Sequence, residues 1–192
     1  MSTTEPIRDK KELQKFMNYY KTVQPNTRNY VLIQLGLHTA LRISDILNLQ
    51  WETVYDFEQK CFRKHLHILE HKTGKENIIA LNHHVTDALK QHFLEQAPQC
   101  TDYIFTRTTD KTSPLSRSQA FRIIKKAAAS STHSPNISCH SLRKTFGYHA
   151  WKQGTPPALL MDIYNHSAYA VTKRYLGINQ DERDSLFLQI HL

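Results

Sequence analysis

The stretch WETVYDFEQKCFRKHLHILEHKTGKENIIAL (residues 51–81) decides the fold class, because it interrupts a chain that otherwise reads in helical period. Residues 51–57, 62–69 and 77–81 predict strands, and the glycine of HKTGK (residues 71–75) suits a tight turn between the last two. Upstream, Leu13, Phe16, Met17, Tyr20 and Val23 recur at helical spacing and predict a helix over residues 9–23. Asn26 can cap a second helix running to His38, and residues 43–49 form a short third. Downstream, Asn82 can cap a helix ending near Gln96, and Ser116 with Gln119 is a capping-box pair for a helix to Ala129. Ser138 heads a helix over residues 139–153, with Gly154 at its stop. Thr155 caps a short helix with Pro156 in its first position, and another helix carries residues 171–175. Asn179 and Glu182 form a last capping pair ahead of Leu186, Phe187, Leu188 and Ile190; residues 108–114 are a polar loop. The expected fold is α+β and mostly α-helical, with helices around a small three-stranded antiparallel sheet.

The 192 residues suit one domain, and 40% hydrophobic with 22% charged residues is the balance of a soluble globular protein that needs no disulfides for its core. The apolar runs are too short to span a bilayer, so no membrane is expected, and MSTTEPIRDKKELQ has no apolar core of a signal peptide. Cys61, Cys100 and Cys139 form no CxxC pair, which points to reduced thiols and a cytoplasmic location. A net charge of +8 and a pI near 9.4 favour a polyanionic partner, most commonly nucleic acid.

Four clusters carry chemistry. In TALRISDILNL (residues 39–49), Arg42 lies between Leu41 and Ile43, where burying a guanidinium demands an anion. Asp45, three residues on, is the local candidate for that anion. Lys72 and Lys75 stand in the predicted hairpin turn, where a flexible cation can reach a ligand or simply be solvated. In HSLR, His140 and Arg143 share one helix face and pair a proton carrier with a bidentate phosphate binder. In YNHSAYAVTKRYLGI (residues 164–178), His166 precedes Tyr175 by nine residues. Each cluster alone reads as readily as ordinary structure: an ion pair, a solvated loop, a chance spacing, a core tyrosine.

Taken in order, the four clusters resemble the tyrosine recombinase, or phage integrase, family over about residues 26–178. TALRISDIL is similar to the family's first arginine box, HKTGKENIIAL to its β-hairpin lysine segment, HSLRKTF to its HxxR box, and NHS with the later TKRYLGI to its final histidine and nucleophile. Two positions depart: Asn165 stands where glycine is usual, and Lys144 where histidine is common. Most members also carry a separate core-binding domain, for which about 25 residues are present here; in this the chain resembles the short fimbrial phase-variation recombinases. The expected organisation is a helical extension (residues 1–25), a catalytic domain (residues 26–178) and a tail helix (residues 179–192).

The resemblance implies a site-specific recombinase, of integrase, excisionase or invertase type, working through a 3′-phosphotyrosyl intermediate and a Holliday junction. Tyr175 would be the nucleophile, Arg42 and Arg143 the clamp on the non-bridging oxygens, and His140 the proton carrier. Lys72 would be the acid for the 5′-oxygen, with Lys75 the alternative if the hairpin register differs. His166 would hydrogen-bond the phosphate, and Asp45 would orient Arg42 or nearby groups. The implied partners are double-stranded DNA with specific recombination sites, a homo-oligomer (a tetramer) on that DNA, and accessory DNA-bending proteins, in a nucleoid-associated setting. No cofactor is called for, and His65, His67 and His71 lack a cysteine or carboxylate to complete a zinc set. A type IB topoisomerase and a non-catalytic DNA-binding regulator are the alternatives. The apolar residues of the tail fit either a neighbouring protomer or their own domain.

Overall fold

The structure, a computed structural model, describes residues 4–70, 74–107, 112–178, 184 and 187–189. Its helices begin where cap side chains satisfy the first free amides. Asp9 accepts from the Glu12 amide at 2.8 Å and starts α1 (Lys10–Asn18). Asn26 accepts from the Asn29 amide at 2.9 Å and starts α2 (Thr27–His38). After α3 (Ile43–Leu47), Asn82 accepts from Val85 at 3.1 Å and starts α4 (His83–Gln96). Ser116 and Gln119 exchange reciprocal bonds of 3.2 and 2.8 Å at the head of α5 (Arg117–Ser131). Ser138 donates to Ser141 Oγ at 3.0 Å ahead of α6 (Cys139–Lys152), and α7 (Pro157–Tyr164) and α8 (Tyr169–Leu176) follow. Pro156 is itself the cap of α7, one residue later than expected.

The first helix does not run evenly to residue 23. From Tyr19 to Val23 it widens into a π-turn, which buries Tyr19 and Tyr20 edge-to-face at 4.9 Å and leaves Val23 68% exposed. Helix α2, buried from Val31 to Leu37, is the axis of the main core, with α4 on one side and α6 on another. Ile7, Phe16, Trp51, Leu89, Ile124 and Leu142 belong to the same core, so the residues before Asn26 pack into it.

The mostly helical fold with small antiparallel sheets stands, but two ribbons replace the single three-stranded sheet. Strand β1 (Tyr55–Asp56) pairs with β2 (Cys61–Phe62), and β3 (His65–Leu69) pairs with β4 (Glu76–Ala80). The expected strand at 51–57 is half consumed by a 3-10 turn (Trp51–Thr53) that buries Trp51 against the ring of Phe93 at 5.3 Å. A bend at Lys64 then separates β2 from β3. In β3 the side chains alternate, so Leu66 is buried while His65, His67 and Leu69 are exposed.

A second, smaller core of Tyr148, Leu160, Tyr164, Leu176 and Ile178 seats α7 and α8 on α6. Residues 108–111 of the polar loop and Asn179, Glu182, Leu186 and Ile190 of the tail lie outside the described residues. Phe187 and Leu188 are helical and 74% and 80% exposed. Among the described residues no helix is long and apolar enough to cross a membrane.

Candidate active site

Arg143 is the fixed point of the site. It lies one turn into α6 with only 5% of its surface exposed. Its guanidinium donates to the Ala40 and Ile163 carbonyls and stacks over the Tyr164 ring at 4.6 Å. Ala40 adopts the left-handed region (φ 55°), a strained choice for alanine, in the turn that presents its carbonyl to Arg143. Tyr164 is buried beneath, and its hydroxyl donates to the Arg143 carbonyl at 2.7 Å. The arginine is thus oriented before any anion arrives.

Arg42 occupies the cap position of α3, with an extended backbone, and is ion-paired to Glu70. This corrects the local expectation: Asp45 is buried, but the carboxylate on Arg42 comes from the end of β3. Glu70, 3% exposed, also accepts from Asn77 Nδ2 at 2.9 Å. Its amide and carbonyl close the hairpin turn on Lys75 and Gly74 at 2.9 and 2.8 Å. Glu70 was missed from the sequence, although Leu66, Ile68 and Glu70 share the inward face of β3 at period two.

His140 sits in the first turn of α6, exposed, beside a half-open groove lined by Arg117, Arg122, Ser118 and Phe121. Burial, then the charges of Arg117, Lys144, Arg143 and Arg42, hold its imidazole below the ordinary value of 6.5, so it is neutral at pH 7. His166 follows Asn165, whose φ of 55° explains why a residue tolerant of the left-handed region stands there in place of glycine. His166 Nδ1 lies 3.0 Å from the buried Thr172 hydroxyl, and burial, Arg143 and Arg42 hold it neutral as well.

Tyr175, on α8, is half-buried and meets the His166 ring edge-on at 5.3 Å and the Tyr164 ring at 5.2 Å. Burial pushes its phenol above 10, while the nearby charges of Arg143 and Arg42 pull the other way. The resting hydroxyl is therefore protonated at neutral pH. Arg143, His166 and Tyr175 meet around the Tyr164 ring, and Arg42 and Arg143 both lie close enough to bear electrostatically on His140, His166 and Tyr175. Lys72 lies outside the described residues, as does His71. Lys75 bonds Asp162 of α7 at 2.7 Å. Among the described residues no group of three or more histidine, cysteine or acidic side chains is arranged to hold a metal.

Two forked cations near a tyrosine and two neutral imidazoles are groups able to bind a phosphate ester and stabilise charge on it. The chain belongs to the phage integrase family, whose model matches residues 8–182. It is 38% identical over 183 residues to the "Probable integrase/recombinase YoeC" of Bacillus subtilis (strain 168), covering 94% of this chain and 93% of that protein. It is 28% identical over 173 residues to the type 1 fimbriae regulatory protein FimE of Escherichia coli (strain K12), covering 88% and 84%. Among solved structures, the XerA recombinase shares the fold with a TM-score of 0.75 at 18% identity, over 97% of this chain and 65% of that one. The XerH site-specific recombinase bound to a palindromic difH substrate, in a post-cleavage complex, also gives 0.75 at 18%, over 97% and 53%. The chain thus spans between half and two thirds of these solved recombinases.

Proposed function

We propose that this protein is a site-specific DNA recombinase that breaks and rejoins strands through Tyr175. The observation that carries the reading is the packing of Tyr175 and His166 on one another and on the Tyr164 ring over which Arg143 is fixed. The scissile phosphate sits between the two guanidiniums, which take up the charge that grows on its non-bridging oxygens. Tyr175 Oη attacks phosphorus in line, the P–O5′ bond breaks, and the 3′-phosphate becomes a tyrosyl ester. The phenolic proton passes to neutral His140, and the departing 5′-oxygen takes a proton from Lys72. The engagement of Lys75 with Asp162 supports Lys72 as that acid. His166 donates through Nε2 to a non-bridging oxygen, its ring held by Thr172 through Nδ1. Attack by the 5′-hydroxyl of a partner strand reverses each step, so the phosphodiester energy is conserved without a nucleotide cofactor.

The partner is double-stranded DNA carrying specific sites, on which copies of the chain assemble as a tetramer, with DNA-bending proteins assisting. The exposure of Phe187 and Leu188 supports docking of the tail onto a neighbouring copy. The organisation into residues 1–25, 26–178 and 179–192 is kept as part of this reading. The experiment is a plasmid carrying two copies of the DNA that flanks the coding region. Inversion or excision products support the proposal; relaxation of supercoils with no rearranged product supports a topoisomerase instead.

A further inference from the structure

We propose that residues 4–8, acting through Arg8 and Lys144, form a positioning clamp on the nucleophile helix. This rests on the reading of Tyr175 as nucleophile. At eight residues, α8 is too short to hold its own conformation, so contacts from elsewhere must fix it. The second core does this from beneath, with Thr172, Leu176 and Ile178 buried. The N-terminal segment does it from the side. Ile7 is 2% exposed in the main core. Its amide donates to Thr145 Oγ1 at 2.9 Å, and its carbonyl accepts from His149 Nε2 at 2.9 Å, so the segment is pinned along α6.

From that anchor two cations reach the nucleophile. Arg8 donates to the Gly177 carbonyl at 2.8 Å, two residues beyond Tyr175, with its guanidinium 5.5 Å above the Tyr148 ring of the second core. Lys144 is 9% exposed; its ammonium donates to the Thr4 carbonyl at 2.6 Å and stands 5.3 Å over the Tyr175 ring. Burying an ammonium is costly, and burial does pull Lys144 below its ordinary value. A simple packing position would be filled by an apolar side chain; a cation on the ring face instead fixes the ring and favours the negative charge the phenol oxygen gains as its proton leaves for attack. The segment therefore ties the main core to the second core at the one helix whose placement sets the attack geometry. Arg8 and Lys144 are positioning residues: neither need touch DNA.

The test uses the full chain on a nicked duplex that traps the covalent adduct, with Tyr175→Phe as the reference blank. Arg8→Ala and Lys144→Met should each slow adduct formation about tenfold or more, the scale of a small misplacement of a reacting group. DNA affinity and melting temperature should stay close to those of the unaltered chain, and Arg8→Lys should restore most of the rate. Around the phenol stand Arg143, Arg42, His166, Tyr164 and Lys144. Losing the last should move the alkaline limb of the rate profile to higher pH in Lys144→Met. Hydrogen exchange of the α8 amides, which needs no activity, should quicken in Arg8→Ala. Unchanged adduct rates with unchanged α8 exchange would overturn the clamp while leaving the recombinase reading intact. Rate, affinity and melting temperature falling together would also overturn it, as the signature of a merely structural contact. If the unaltered chain forms no adduct, the recombinase reading fails, and the α8 exchange rates alone decide the clamp.

Discussion

Gly147 lies on α6 directly under the nucleophile helix, and Gly147→Ala probes how finely the site is placed. A Cβ there would stand 2.3 Å from the Tyr164 hydroxyl and 2.7 Å from Leu176 Cδ2. Ordinary carbon contacts are about 3.5–4.0 Å, so α8 must move outward by about 1 Å. Alanine gains about 1 kcal/mol in helix propensity over glycine. Against this, overpacking costs about 1–3 kcal/mol, and displacing Tyr164 strands its buried hydroxyl, at about 1–3 kcal/mol. The net loss is about 3 kcal/mol, or about 6–12 °C in Tm for a chain of this size. The larger effect is on chemistry: a shift of about 1 Å at Tyr175 should lower the rate of covalent cleavage about a hundredfold. The assay is adduct formation on a nicked duplex below the melting range, beside a melting curve. Gly154→Ala is the control: φ is 84° but nothing lies within 4 Å of its Cβ, so it should cost about 1 kcal/mol in strain and leave cleavage alone. Cleavage by Gly147→Ala at the unaltered rate would refute the argument that α6 and α8 together fix the nucleophile.

Glu70→Gln should slow cleavage about tenfold, because Arg42 loses the charge that orients it, without weakening DNA binding; equal cleavage rates would remove Glu70 from the site. Stability should fall as pH drops from 6.5 towards 4. Burial and the neighbouring His84 and His83 push His38 down to about 4, so the unfolded chain takes up the proton first. His38→Gln, which can keep the bond to Asn82, should flatten that fall in melting temperature, and an unflattened curve would assign it elsewhere. EDTA should leave adduct formation unchanged, since two arginines and a lysine supply the positive charge; activity restored only by Mg²⁺ would count against the scheme.

What was legible in the sequence was local. Asn26, Asn82 and the Ser116 and Gln119 pair act within one turn of the chain, so the helix starts they predict are the ones observed. The four chemical clusters were legible through their order, although the packing of Arg143, His166 and Tyr175 around Tyr164 is a property of the fold. What escaped was decided at a distance. Trp51 turns inward to meet Phe93, which ends the first strand early. Asp45 is the neighbour that helical spacing offers Arg42, yet Glu70, 28 residues away at the end of β3, takes the pair. Lys144 was visible as a departure, but its placement over Tyr175 depends on a carbonyl from residue 4, which no periodicity announces.

The central claim is that Tyr175 becomes covalently joined to DNA. The direct measurement is to trap the chain on a nicked duplex, digest the adduct with protease and nuclease, and map the modified peptide by mass spectrometry. The predicted result is a 3′-phosphonucleotide on Tyr175, release of a free 5′-hydroxyl, and no adduct from Tyr175→Phe. A modification on any other residue, a 5′-linked adduct, or an adduct persisting in Tyr175→Phe would contradict it.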